Sequence, residues 1–191
     1  MGFHLRNSSI RSPFTYERSN MNKQLLNLTE QNISSLYSVS ELMRSRGYWT
    51  ADRSIEEDTA NSIYQLFQLL AWSDRGLHDN ECNMLDAAIE VDKAHGNHLQ
   101  KLVESGPQEL ESKPRIPGCL AAAALHDSVH ETRFVNLVMN SLENIAHLIL
   151  MADAKVSAPE VDAYRTYFTA LRRSFSALPM VGHSEVTHRA P

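Results

Sequence analysis

The chain has 191 residues, of which 42% are hydrophobic and 21% are charged, and its formal net charge is −5 at pH 7. These proportions are ordinary for a soluble globular domain, and the length is enough for one domain with a sizeable core. The charge argues against nucleic acid as a partner, because binding to phosphates requires a concentrated basic face and the sequence has none. Residues 51–100 instead carry 10 acidic and 3 basic side chains. We therefore expect an acidic surface and no nucleic-acid partner.

The cysteines and the apolar runs of the sequence indicate in which cellular compartment the protein is expected. Cys82 and Cys119 lack the spacing of a disulfide framework, so both are predicted to be small buried side chains in a reducing compartment. No run reaches about 18 uninterrupted apolar residues, and the nearest, 134–152, is broken by polar and charged side chains. The first residues lack the apolar core of a signal peptide. We expect a cytoplasmic protein without a membrane span, and peripheral association with a membrane stays open.

The first half of the chain shows helical periodicity. Apolar residues from Leu28 to Arg46 fall mostly at helical spacing, and Gly47 suits a C-terminal cap. A capping box at Ser54 and Glu57 opens a second helix, which runs to about residue 72.

Two further helices complete this half. One is predicted from Asp79 to His95 and is stopped by Gly96. A short helix follows over 97–105. Three prolines and two glycines in residues 106–118 then mark the clearest loop of the chain.

The second half begins with a helix of small apolar residues, Cys119 to about His126. Beyond it the pattern leaves two alternatives. Ser128 and Glu131 either form a capping box that starts a new helix, or they lie inside one long helix that continues to about Ile149.

A third capping box, formed by Ser157 and Glu160, opens the last helix over 161–175. No segment alternates over the length of a strand, so the fold class is all-α, with about seven helices. We expect a single helical domain over residues 28–176, between a flexible arm (1–27) and a flexible tail (177–191).

A short phrase occurs twice, at 69–81 and 148–160, with an offset of 79 residues. Asp74 then aligns with Asp153, and Glu81 aligns with Glu160. Each copy is an apolar helix, an acidic turn and a second helix with a Glu in its first turn. We call the segments around Asp74 and Asp153 the acidic turns. The repeat predicts a fold built from two similar halves around one core.

The doubled phrase resembles the TerB-like family of tellurite-resistance and stress-associated helical domains, over roughly residues 55–175. The second copy is the better match, with Ala152-Asp153, Val156-Ser157 and Glu160, although Ala154 replaces the usual Gly. The first copy departs further, since Ser73 replaces Ala, Gly76 sits one place late and His78 stands where the family has Ser. The resemblance implies an all-α accessory domain associated with chemical stress, metal-ion sensing and protein assembly at the membrane surface. It implies no catalytic centre.

The acidic turns have two interpretations. Carboxylates at the start of a helix accept backbone N–H bonds and benefit from the positive helix end, which accounts for Glu81 and Glu160 without any ligand. Alternatively, Asp74, Glu81, Asp153 and Glu160 hold a weakly bound divalent cation such as calcium or magnesium, provided that the two turns converge. We expect no other cofactor.

His126 and His130 form a second group of candidate metal ligands. They share a face on a continuous helix, as paired zinc ligands do. Asp127 occupies the place where a metalloprotease needs its glutamate base, and no third ligand is evident. Surface or capping histidines are the alternative interpretation.

The sequence therefore favours a non-catalytic TerB-like module that acts through a protein partner. It would serve in a bacterial stress response or as the N-terminal regulatory domain of a larger protein. One alternative is a divalent-metal-binding or metal-responsive protein that uses the acidic turns. Another is a metal-dependent hydrolase that uses the His126/His130 face. Assembly into a homo-oligomer stays open.

Overall fold

The computed structural model describes residues 13–49, 52–71, 78–107, 115–152 and 156–176, with side chains from residue 23 onward. Within these ranges the chain forms seven α-helices, a short 3₁₀ turn and no strand, which confirms the all-α fold and the expected number of helices. In chain order they are α1 (Pro13–Ser45), α2 (Ile55–Ala71), α3 (Asp79–Asp92), the 3₁₀ turn (Lys93–His95), α4 (His98–Ser105), α5 (Gly118–His130), α6 (Phe134–Ala152) and α7 (Ala158–Ser176).

Three helices, α1, α2 and α6, pack against one another at the centre of the fold. The predicted apolar stripe of α2 is fully buried there: Ile63, Leu66, Phe67 and Leu70. Along the α1–α6 pair, the side-chain amide of Asn144 donates to that of Asn32 (3.1 Å). The other helices surround this centre: α3 lies on α1, α4 on α2 and α3, α5 on α1 and α6, and α7 on α2.

The helix bounds follow the spacing of the repeated phrase. α6 begins 79 residues after α2, and α7 begins 79 residues after α3. The contacts between the halves are reciprocal as well, since α2 packs on α7 and α3 packs on α6. That the fold is built from two similar halves stays a prediction from the sequence.

Among the described helices, α6 is long and apolar enough to cross a membrane by length and composition alone. In this fold nine of its residues are buried, against α1, α2 and α5 in particular. The apolar ones among these buried residues belong to the hydrophobic core of the domain.

The first helix is longer than its apolar pattern predicts. It begins at Pro13, not at Leu28, and Leu25 already belongs to the core at 8% exposure. Residues 1–12 and the predicted tail, 177–191, lie outside the described part of the chain.

Both sequence interpretations of Ser128 and Glu131 are wrong. α5 ends at His130, Glu131 adopts a left-handed conformation (φ 53°), and α6 begins only at Phe134. The Ser128 hydroxyl donates back to the Leu125 carbonyl (2.7 Å), so it caps no new helix. The chain breaks here because Asp127 caps α6 instead, as described below.

The cysteine prediction is confirmed at one position only. Cys119 is buried, and burial raises the pKa of its thiol to about 12. Cys82 is exposed on α3, because its position faces away from the core. Partial desolvation of the sulfur, followed by nearby Asp86, also raises the pKa of the Cys82 thiol.

Candidate functional site

The structure describes two of the four carboxylates predicted to form the acidic turns. Glu81 and Glu160 lie in the first turns of α3 and α7, and both are almost fully buried, with 0% and 1% exposure. Asp74 and Asp153 lie outside the described residues. Of the predicted metal ligands, the structure therefore describes the positions of Glu81 and Glu160 only.

Both glutamates accept a backbone hydrogen bond at the start of their helix. The N–H of His78 donates to Glu81 Oε2 (2.8 Å), and the N–H of Ser157 donates to Glu160 Oε2 (2.5 Å). At the start of α7 a second bond joins the same two residues in the opposite direction: the N–H of Glu160 donates to the Ser157 hydroxyl (3.3 Å). These bonds satisfy N–H groups that a helix start leaves without a partner. Capping therefore gives each glutamate a structural task.

The capping geometry at the start of α7 predicts a modest loss of stability when the side chain of either Ser157 or Glu160 is removed. We expect Glu160→Ala to lower the free energy of unfolding by about 0.5–1.5 kcal/mol, through loss of the cap and of a negative charge at the helix start. Ser157→Ala should cost about 0.5–2 kcal/mol. Urea denaturation measures both, and Glu160→Gln, which keeps an acceptor, should cost less than Glu160→Ala. Neutral behaviour of both alanine variants would show that the caps contribute nothing.

The two halves meet beside these turns. The side-chain amide of Asn80, in the first turn of α3, donates to the carbonyl of Ala152 at the end of α6 (2.7 Å). The start of α3 is thus fixed next to the last residue before the second acidic turn. Within the described ranges, no three His, Cys, Asp or Glu side chains are grouped so that they could hold a metal ion.

The structure brings His126 and His130 together on one face of α5, with ring centroids 4.6 Å apart. Each ring nitrogen Nε2 is already engaged. Nε2 of His126 lies 2.5 Å from Arg46 Nη1, and Nε2 of His130 lies 2.6 Å from the Tyr48 hydroxyl. A cation beside one imidazole and a hydroxyl on the other oppose metal ligation through these atoms. This geometry does not favour the hydrolase hypothesis.

A chain of hydrogen bonds continues from the buried ring of His126. Its Nδ1 lies 2.9 Å from the Thr132 hydroxyl, which in turn donates to Asp127 Oδ1. Because Arg46 can only donate to Nε2, the neutral ring carries its proton on Nδ1 and donates it to Thr132. Burial lowers the pKa of His126, and His130 and Arg46 lower it further, against the opposing effect of Asp127. The imidazole is therefore held in its neutral form.

Asp127 also caps the following helix. Its carboxylate accepts the N–H groups of Phe134 (3.1 Å) and Val135 (2.9 Å) at the start of α6. The cluster of Arg46, His126, Thr132 and Asp127 thus ties the end of α1 to the break between α5 and α6.

A histidine with a lowered pKa makes stability depend on pH. The unfolded chain binds a proton at His126 more readily than the folded protein does, so the free energy of unfolding should fall as the pH falls below about 6.5. We expect His126→Gln to flatten this decline between neutral and mildly acidic pH. His147→Gln, at an exposed histidine on α6, is the matched control and should leave the slope unchanged. Denaturant titrations across this range measure it, and an equal slope in wild type and His126→Gln would contradict the assignment.

Another buried carboxylate, Asp92, was not singled out by the sequence. It is fully buried at the end of α3 and accepts the Tyr37 hydroxyl (2.6 Å) and the N–H of Leu99 in α4 (2.6 Å). Burial and the bond to Asp92 raise the pKa of Tyr37, so its hydroxyl stays protonated and donates. Asp92 and Asp127 each cap a helix through an N–H seven residues ahead. Each bond spans the turn between two helices, so the periodicity of a single helix does not reveal it.

Comparison of the chain with protein-family models, with curated proteins and with solved structures gave no match.

Proposed function

We propose that this chain is a non-catalytic, TerB-like helical module that acts through contacts with another protein. It would do so in a bacterial stress response or as the N-terminal regulatory domain of a larger protein. The observation that carries the proposal is the exposure of two large apolar side chains, Met151 at 65% and Val156 at 49%, on either side of the second acidic turn in the sequence.

Isolated apolar side chains on a surface are common, but these two flank the second copy of the repeated motif, which resembles the TerB-like pattern more closely than the first copy does. Beside them, the Asn80 bond to Ala152 fixes the end of α6 against α3. A partner that covered Met151 would bury apolar area beside a helix end that is already held in place. Pre-organisation of this kind lowers the cost of binding.

The polar groups support the non-catalytic part of the proposal. Glu81 and Glu160 accept backbone N–H groups, and the Nε2 atoms of His126 and His130 have hydrogen-bond partners. Groups that act in catalysis need access to a substrate, whereas these are used to hold helix ends and loops.

Site-specific photo-crosslinking tests the contact surface. A photoreactive amino acid would be placed at position 151, 156 or 165 of the full chain, in cells that produce it. Arg165 is an exposed position on α7 and serves as the control. We expect positions 151 and 156 to give the same discrete product, position 165 to give none, and Val156→Ser to weaken the product formed from 151. No product from either position, or the same product from all three, would contradict the proposal.

Divalent-metal binding by the acidic turns is the second candidate function. The observation that favours it is again the bond from Asn80 to Ala152, which brings the start of α3 to the end of α6. A site with so few carboxylates would further require that the two acidic turns themselves converge.

A further inference from the structure

A polar cleft of about 190 Å³ opens between the first turns of α2 and the loop that leads into α5. It shares no residue with the acidic turns or with the His126 cluster. Its polar lining consists of Arg53, Asp58, Asn61, Ser62, Gln65 and Arg115.

One wall of the cleft is held rigidly. Asp58 and Ser62 are only 5% and 6% exposed, and Oδ2 of Asp58 accepts the N–H of Gly118 at the start of α5. The Ser62 hydroxyl donates to the Asp58 carbonyl (2.9 Å). Asn61 and Gln65 are one helical turn apart on α2, so their amides line the cleft side by side. This wall therefore presents fixed hydrogen-bonding groups.

The charge of the cleft contrasts with the acidic sequence around it. Arg53 and Arg115 both line it and both are exposed. Among the residues that the structure describes, no acidic side chain forms an ion pair with either guanidinium. Asp58 brings one negative charge, and one of its oxygens is already bonded to Gly118. Counted over the described residues alone, the cleft has two cations without an ion pair and one carboxylate that is partly engaged.

We propose that this cleft binds a small oxyanion, either a phosphate or a short dicarboxylate, between Arg53 and Arg115. Guanidinium groups match the geometry of phosphate and carboxylate through paired N–H donors. The volume lies below the range typical of pockets for drug-sized ligands, which favours a small ion over a nucleotide. The side-chain amides of Asn61 and Gln65 can donate to the remaining oxygens of the ligand, whereas Asp58 is held by its bond to the Gly118 N–H.

Isothermal titration calorimetry at constant ionic strength tests this site, with inorganic phosphate and succinate as separate probes. We expect one of them to bind at one site per chain with a submillimolar dissociation constant. Arg53→Gln and Arg115→Gln should each weaken that binding about tenfold or more, the loss expected for a charge-assisted hydrogen bond. Arg165→Gln makes the same change of charge on α7 and should leave the affinity unchanged. Circular dichroism would show that all three variants keep their helical content.

The outcomes are distinct. Binding of phosphate alone identifies a tetrahedral ligand, and binding of succinate alone identifies a dicarboxylate; either supports the cleft when only the Arg53 and Arg115 variants lose affinity. No heat from either probe up to tens of millimolar would overturn the proposal. An equal loss of affinity in all three variants would also overturn the proposal, because such a loss would reflect the net charge of the protein and not a specific site.

Discussion

Replacement of Asp92 by alanine will lower the free energy of unfolding by about 2–5 kcal/mol, one of the two largest effects that we expect from a single polar change. The carboxylate is fully buried and accepts both the Tyr37 hydroxyl and the Leu99 N–H. Its removal leaves two buried donors without an acceptor and opens a small cavity. The bond to Leu99 also caps α4, so the start of that helix should fray.

Urea denaturation of three variants separates this network from a general effect on α3. Asp86→Ala, at an exposed position of the same helix, should stay within about 0.5 kcal/mol of wild type. Tyr37→Phe should cost less than Asp92→Ala, because Asp92 keeps its bond to Leu99. The double variant should cost less than the sum of the two, since the partners share one interaction. A cost below about 1 kcal/mol for Asp92→Ala would show that the buried network contributes little.

Gly118→Ala will also destabilise the protein, by about 1–3 kcal/mol, although alanine is normally the better helix former. A Cβ atom on Gly118 would lie 2.5 Å from Asp58 Oδ2 and 2.5 Å from Trp49 Cζ3. Both neighbours are held in place, since Asp58 accepts the Gly118 N–H and the Trp49 indole N–H donates to the Arg53 carbonyl (2.7 Å). The start of α5 would have to move away from α2.

A double-mutant cycle with Trp49→Leu tests the steric cause. Removal of the indole gives the new methyl group room on one side, so Gly118→Ala should cost less in the Trp49→Leu background than in wild type. Denaturant midpoints measure all four proteins. If Gly118→Ala raised stability, as helix propensity alone predicts, the close approach of α5 to Trp49 and Asp58 would be wrong.

Much of the helical layout could be predicted from local sequence. The apolar stripe of α2 repeats at helical spacing, and the Ser54 hydroxyl accepts the N–H of Glu57 (2.9 Å) as the capping box requires. The end of the 3₁₀ turn that follows α3 is equally local, because Gly96 takes a left-handed φ of 116° that most other residues avoid. Such signals act between neighbours in the chain, so periodicity and spacing reveal them.

The break between α5 and α6 could not be predicted in this way. The apolar pattern runs on through Glu131, which adopts a left-handed conformation that few non-glycine residues take. The conformation is held by Asp127, which reaches forward to the N–H groups of α6, and by packing of His126 against Arg46, 80 residues away in sequence. Tertiary contacts override the local pattern here.

The candidate site likewise combines residues that local spacing predicts with residues that only tertiary contacts bring together. The glutamates were recognisable because a capping box has a fixed spacing, and the pairing of His126 with His130 follows from one helical turn. Arg46 and Tyr48, whose side chains contact the Nε2 atoms of those histidines, come from the residues just after α1. Arg53 and Arg115 reach one cleft from loops far apart in the chain. Only the fold brings such residues together.

Thermal unfolding in the presence of divalent cations tests most directly the claim that the acidic turns serve structure and not ligand binding. If Asp74, Glu81, Asp153 and Glu160 only organise helix ends, the melting temperature will not rise when calcium, magnesium or zinc is added at millimolar concentration. Asp74→Asn/Asp153→Asn, which removes two charges with little change of shape, will then respond as wild type does. A bound cation would instead stabilise the folded state by about 2.7 kcal/mol at a hundredfold excess over its dissociation constant. A clear rise in wild type that is lost in the double Asn variant, with helical content intact, would contradict the structural account and establish the metal-binding alternative.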